Sequence, residues 1–192
     1  MKTQNFLAVL TIGLGLLVTT NRQATAQDEI PGDVQKQPIA LIGGAIHTVS
    51  DGTIAKGTIL FEKGVIVAIG ENVMLPKGTH RIDVTGKHVY PGLIEPSSNI
   101  GLTEVDSTNS TVDSTEIGSL NPNVRTLVAV NPDSTHIPVG RGSGVLLSGS
   151  VPSGNLVAGQ SSLIQLDGWT WEDMSLKGQL GMHISWPTMS PV

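Results

Sequence analysis

The chain has 192 residues, 16 acids against 11 Lys and Arg, and a formal net charge of −5 at pH 7. That acidic balance argues against nucleic acid or an anionic membrane as a partner. The absence of cysteine excludes a disulfide framework and a thiolate metal site, and with only 3% aromatic residues the core must be aliphatic.

The first 26 residues read as a removable export signal. Lys2 supplies the positive start, residues 6–18 (FLAVLTIGLGLLV) the apolar run, and Ala24-Thr25-Ala26 an A-x-A cleavage site before Gln27. The alternative is a membrane anchor. Thirteen apolar residues rise only about 20 Å as a helix, short of a hydrocarbon core of roughly 30 Å. The expectation is therefore cleavage between Ala26 and Gln27, a product exported to the periplasm or outside the cell, and no membrane attachment afterwards. The signal removes Lys2 and Arg22 and no acid, so the remainder is more acidic still.

Residues 27–37 (QDEIPGDVQKQ) are polar with a Pro-Gly turn and read as a flexible leader. From residue 38 to 90, short runs of Ile, Val, Leu and Thr alternate with Gly-containing turns, the pattern of an antiparallel meander or sandwich. Lys63-Gly64 between two apolar runs predicts a hairpin, because Gly tolerates the positive φ such a turn needs. Residues 93–95 predict a short strand, and 99–120, rich in Ser, Thr, Asp and Gly, a long solvated loop. Residues 124–130 and 134–141 predict short helical turns, the second following Asn131-Pro132-Asp133. Strands are expected at 144–147, at 156–166 as two strands bent near Gly159, and at 181–186. Thr170 to Asp173 has the form of a capping box opening a short helix.

Two stretches carry a family likeness. Residues 64–70 read G-x-I-x-x-I-G, and residues 83–94 read D-x-x-G-K-x-V-x-P-G-L-I. Together they resemble the beginning of amidohydrolase superfamily proteins of the imidazolonepropionase-like kind, and residues 159–174 (GQSSLIQLDGWTWEDM) are similar to members of that group. The resemblance implies a mixed α and β fold. Residues 38–90 would form part of the β-sandwich composite domain. Residues 91–192 would form the truncated start of a (β/α)8 barrel, since a full barrel takes about 250 residues. A truncated product, a split product and a degenerate relative all remain open.

The resemblance also locates a site. In the family, D-x-H-x-H follows P-G-L-I, and the two imidazoles hold zinc or another divalent ion that activates a water for attack on a carbonyl carbon. Here Glu95-Pro96-Ser97-Ser98-Asn99 stands in that place, with Ser97 and Asn99 at the two His positions. A hydroxyl and a neutral amide are poor ligands for such an ion, so no metal role is carried over. No cofactor is expected in this chain, and zinc or another divalent metal is expected in intact members. The family's remaining ligands, a modified Lys, two His and an Asp, come from later barrel strands.

Other candidates weigh less. His47, His80, His88, His136 and His183 form no H-x-H or H-x-x-x-H pair and read as structural or solvent-facing, with His183 the least improbable exception. Ser97 and Ser98 lack a nucleophile elbow, and residues 140–144 (GRGSG) lack the spacing of a phosphate loop. Glu95 and Asp106 show no acid–base spacing. Asn109-Ser110-Thr111 is a glycosylation sequon of the kind chance produces. Trp169 and Trp171 read as a turn and a helix start with one indole packed inward. The resulting expectation is an exported amidohydrolase-family protein, of a family that hydrolyses non-peptide carbon–nitrogen bonds such as those of cyclic amides, inactive by itself. Its partner would be the missing C-terminal barrel portion, with a small-molecule substrate only once completed. The alternative is a secreted, non-catalytic β-rich binding or scaffold module with a ligand near Trp169 and Trp171.

Overall fold

The computed structural model describes residues 31–154 and 156–186, so the expected signal at 1–26 and its cleavage site lie outside the described residues. The described chain is mostly β, in two mixed sheets with a few short helices.

The first sheet is made by β1 (Ile39–His47), β2 (Thr53–Glu62), β3 (Val65–Gly70), β4 (His80–Asp83) and β5 (His88–Val89). β1, β2 and β3 run antiparallel in sequence order. The β2–β3 turn is the Lys63-Gly64 hairpin, with φ of 51° and 76° at the two residues, as a type I′ turn requires. The meander then ends. β4 and β5 both pair with β1 in parallel, Ile39 facing His80 and Ala45 facing His88. An all-antiparallel order is thus corrected: residues 71–79 carry the chain back before β4 begins.

A bulge in β1 lets one strand hold both partners. Its register against β2 shifts on either side of Gly44, and a Cβ there would lie 2.9 Å from a Val84 methyl and 3.0 Å from the Val84 carbonyl oxygen. Only a glycine admits the β4–β5 connection this closely. That connection is tied down by Val84 N–H to the Ile42 carbonyl and Ala45 N–H to the Lys87 carbonyl, both at 2.9 Å. Ala40, Ile46, Ile59 and Leu60 are buried in this sheet, whereas Val65, Ile66, Val67 and Ile69 of β3 are exposed.

The expected leader is tethered from Pro31 onward. Gln35 donates to the Phe61 carbonyl at 2.8 Å and accepts the Gly64 N–H at 2.7 Å, gripping the hairpin. Gly32 N–H donates to Asp167 Oδ1.

The second sheet has the order β6 (Leu93–Ser98), β7 (Val145–Ser150), β8 (Val157–Gln165), β9 (Ser175–Ile184). β6 and β7 are parallel, and their crossover contains two 3-10 turns and helix α1 (His136–Gly142). This is one strand–crossover–strand step of the kind a (β/α)8 barrel repeats. The repetition stops there: β8 and β9 pair antiparallel, and no barrel is seen among the described residues. β8 is a single strand where a bend at Gly159 predicts two. Gly159, at φ 136°, lets Val124 approach, and Gln160 N–H bonds the Val124 carbonyl at 2.8 Å. β9 begins six residues before the predicted strand, immediately after helix α2 (Trp171–Met174). That helix carries the full capping box between Thr170 and Asp173.

The core of this half is aliphatic: Leu102, Leu127, Val130, Ile137, Ile164, Leu166 and Met174 form one buried cluster. Residues 99–120, expected as solvated loop, contribute Leu102 to it, 1% exposed. At about 1.5–3 kcal/mol for a fully buried aliphatic side chain, this cluster is what fixes the crossover against β7 and β8. Among the described residues no helix is long and apolar enough to cross a membrane.

Candidate functional site

In barrel-type enzymes the chemistry sits at the C-terminal ends of the parallel strands, which here means the ends of β6 and β7. The two strands meet closely. A Cβ on Gly149 would strike the Pro96 carbonyl oxygen, and the register slips between Glu95–Ser148 and Ser98–Ser150. Three steps on β6 therefore span two on β7, a bulge that places Pro96 and Ser97 at the surface.

β6 ends at Ser98, and Asn99 opens the turn that follows. The Asn99 carbonyl accepts the N–H groups of Leu102 at 2.8 Å and Thr103 at 3.1 Å. Ser98 Oγ accepts the Ile100 N–H at 2.9 Å, and Glu95 Oε1 lies 3.3 Å from the Ser97 N–H that donates to it. Ser97 and Asn99 are both exposed. Their neighbours spend their polar atoms capping the strand end, which leaves Ser97 and Ser98 without an activating imidazole in any described contact.

Beside this turn lies an open cleft of about 360 Å³, walled by Asn99, Thr103, Glu104, Asp106, His136 and Gly140. His136 Nε2 donates to the Glu104 carbonyl at 3.1 Å, and the Asn131 amide reaches Glu104 Oε1 at 3.4 Å. These bonds hold α1 to the loop after β6. The donor set is an amide, carboxylates and an imidazole already engaged with a carbonyl. It can hydrogen-bond a polar ligand, but it presents no nucleophile–base pair.

Solved structures and sequence relatives locate this geometry. An amidohydrolase from Thermotoga maritima MSB8 superposes with a TM-score of 0.73 at 26% identity, over 78% of this chain and 39% of that one. Dihydropyrimidinase-related protein 5 of Homo sapiens is 34% identical over 70 residues, which is 36% of this chain and 12% of that protein. The Mus musculus protein of the same name matches equally. The chain matches the amidohydrolase superfamily over part of its length. No family model matches it. It spans 39% of the Thermotoga protein, and its sequence match takes in 12% of the human one.

The resemblance at residues 83–94 implies a divalent metal in intact members, and the residues at the end of β6 do not fit such an ion. Ser97 and Asn99 offer a neutral hydroxyl and a neutral amide, and among the described residues no group of three or more His, Cys, Asp or Glu is placed to hold a metal. His183, on β9, faces Gly159 of β8 and takes no part in such a group. Glu95 and Asp106 are not brought together in any described contact. Residues 140–144 form the end of α1, where Gly144 takes φ 89° after the helix. Trp171 packs on the core cluster while Trp169 is 67% exposed, so the two indoles do not form one platform.

Two features escaped the sequence. Thr126, Ser148, Ser150 and Ser162 form a buried line of hydroxyls between the crossover and the sheet. His47 and His88, 41 positions apart, meet with ring nitrogens 2.9 Å from each other. Nothing local marks either: the first reads as ordinary strand polarity, and the second depends on β5 returning parallel to β1.

Proposed function

We propose that this chain is an exported member of the amidohydrolase group that supplies the opening strands of that architecture and does not by itself hydrolyse carbon–nitrogen bonds. One observation carries the reading. The strand end that resembles the metal-binding end of barrel strand 1 carries Ser97 and Asn99, and the surrounding polar atoms cap the backbone instead of converging on an ion. The family reaction, attack of a metal-activated water on a cyclic amide or related non-peptide bond, would then require ligands from another polypeptide segment.

The exposed apolar rows favour such a partner. Val65, Val67 and Ile69 on β3, and Leu180, Met182 and Ile184 on β9, leave both outer strands uncovered. Large contiguous apolar surface of this kind marks an interaction site, and an uncovered edge strand invites pairing. The segment that completes a barrel is the occupant proposed, and the adjoining nucleotides are where its coding sequence is to be sought. Export through residues 1–26 to the periplasm or beyond is part of the same proposal, checked by N-terminal sequencing of secreted protein for a start at Gln27.

The activity is tested by incubating the chain with zinc and following hydrolysis of cyclic amides and imides. The expected result is no turnover above buffer with zinc. Zinc-dependent turnover abolished by Ser97→Ala or Asn99→Ala would overturn the proposal.

A further inference from the structure

The outer strands of the two sheets are not equally protected against pairing with another chain. β4 carries Arg81 and Asp83, β6 carries Glu95 and Pro96, and β9 carries Lys177. Charge and proline are the usual means by which a sheet edge avoids a foreign strand. β3 has neither: Val65–Gly70 reads VIVAIG. Successive side chains of a strand point to opposite faces. Val65 is 62% and Ile66 51% exposed, so both faces of this edge are bare. A short run of high β-propensity without charge or proline is the composition that pairs with its own copy.

The charges stand at the two ends of the strand instead. Lys63 precedes β3 and Glu71 follows it. Both are exposed, and among the described residues neither forms an ion pair.

We propose that the β3 edge is a docking surface for a second copy of this chain, paired antiparallel about a two-fold axis near Val67 and Ala68. Antiparallel pairing sets Lys63 of each copy beside Glu71 of the other, once at each end. Parallel pairing would set Lys63 on Lys63 and Glu71 on Glu71, and like charges facing each other across strands are destabilising. The flanking charges and the two-fold symmetry therefore select the same arrangement, and it joins the two five-stranded sheets into one continuous sheet.

The pairing closes at two copies. Each chain offers one β3, and a surface that meets its own like is used up in a dimer. The register of β3 on β2 shifts between Leu60 and Phe61, which leaves Val67 without a partner across the hairpin. Such a bulge increases the local twist and opposes flat, open-ended stacking. A strand of this length spans about 20 Å, and pairing along it alone buries less than the roughly 1,200–2,000 Å² of a standard interface. The dimer is therefore reversible. This inference goes beyond the function proposed above and concerns the chain by itself, since a barrel-completing segment would compete for the same edge.

The test is sedimentation of the full chain over a wide range of concentration, where a monomer–dimer equilibrium is expected. Lys63→Glu and Glu71→Lys should each weaken the dimer about tenfold or more, because each reversal turns two exposed attractions into repulsions. The double variant Lys63→Glu/Glu71→Lys should return to about the parental strength, with circular dichroism showing all three variants folded. The chain has no cysteine, so Val67→Cys adds one thiol per copy. Near the axis two such thiols come within the Cα separation of about 4.4–6.8 Å that a disulfide needs, and mild oxidation should give a covalent dimer. Met74→Cys, at a 92% exposed position outside β3, should not. A chain that stays monomeric at every concentration would overturn the proposal, as would open-ended oligomers. Equal cross-linking at positions 67 and 74, or a double variant as weak as the single reversals, would also refute it.

Discussion

Ser148 gives a test in which removing a polar group should strengthen the fold. It lies on β7 opposite Ile164, is 0% exposed, and its Oγ has no hydrogen-bond partner among the described residues. A buried hydroxyl left unpaired costs about 1–3 kcal/mol of desolvation. Ser148→Ala removes that hydroxyl and one atom's volume. At roughly 24 cal/mol per Å³ of residual cavity the gap costs only some tenths of a kcal/mol. The expected net effect is a gain of about 1 kcal/mol, or about 2–4 °C in Tm for a chain of this size. Thr126→Val is the counterpart of similar shape. The Thr126 hydroxyl is buried, 2.9 Å from the Ser150 carbonyl and 3.1 Å from Ser162 Oγ, and its loss should cost about 1–2 kcal/mol. Urea denaturation with an unchanged m-value reads both. A loss of stability in Ser148→Ala would refute the reasoning, because it would mean that the hydroxyl is hydrogen-bonded in the folded protein.

Leu166→Ala, at a side chain 1% exposed in the second sheet's core, should destabilise the chain by about 2–5 kcal/mol in the same urea assay. Thr170→Ala removes the side-chain half of the α2 capping box and should cost about 1 kcal/mol, with Thr170→Ser retaining most of it. Asp83 provides a pH test. The Thr85 hydroxyl first, then the Thr85 N–H, and to a smaller degree Lys87 hold its carboxyl below the ordinary value of 3.8. A depressed folded-state value gives stability that is complete above the ordinary carboxylate range and lost as the pH falls through the folded value. Urea midpoints taken downward from about pH 5 should therefore fall less steeply in Asp83→Asn than in the parent chain. Parallel acid limbs would contradict this.

What was legible in the sequence was local chemistry. Lys63-Gly64 specified its hairpin because two adjacent positive φ values need such residues, and Thr170 to Asp173 specified its cap because both bonds close within four residues. What was not legible depended on distant partners. β4 and β5 are short, and their parallel alignment with β1 is decided by Gly44, whose lack of a side chain admits residues 84–87. β8 stays one strand through Gly159 because Val124, from the crossover, sits against the space a side chain would take. The Ser, Thr and Asp content of residues 99–120 reads as solvated loop, yet Leu102 among them joins Leu127, Val130 and Ile137 of the same crossover in the buried core. The His47–His88 pair was invisible for the same reason as β5.

The end of β6 shows why backbone likeness and chemistry part company. Gly92 is held to glycine by contact, since a Cβ there would collide with Leu146, and Gly149 by the Pro96 carbonyl. Those constraints come from the parallel packing of β6 on β7, and any sequence that makes this pair must satisfy them. Ser97 and Asn99 meet no such constraint. They are exposed, and the bonds that shape the turn use the Asn99 carbonyl, which every residue type supplies, with the Ser98 hydroxyl. Imidazole, hydroxyl or amide at 97 and 99 would therefore leave the turn equally well formed. Under the reading proposed above, only a bound ion would call for imidazole at these two positions, and the sequence joins the P-G-L-I approach to Ser97 and Asn99.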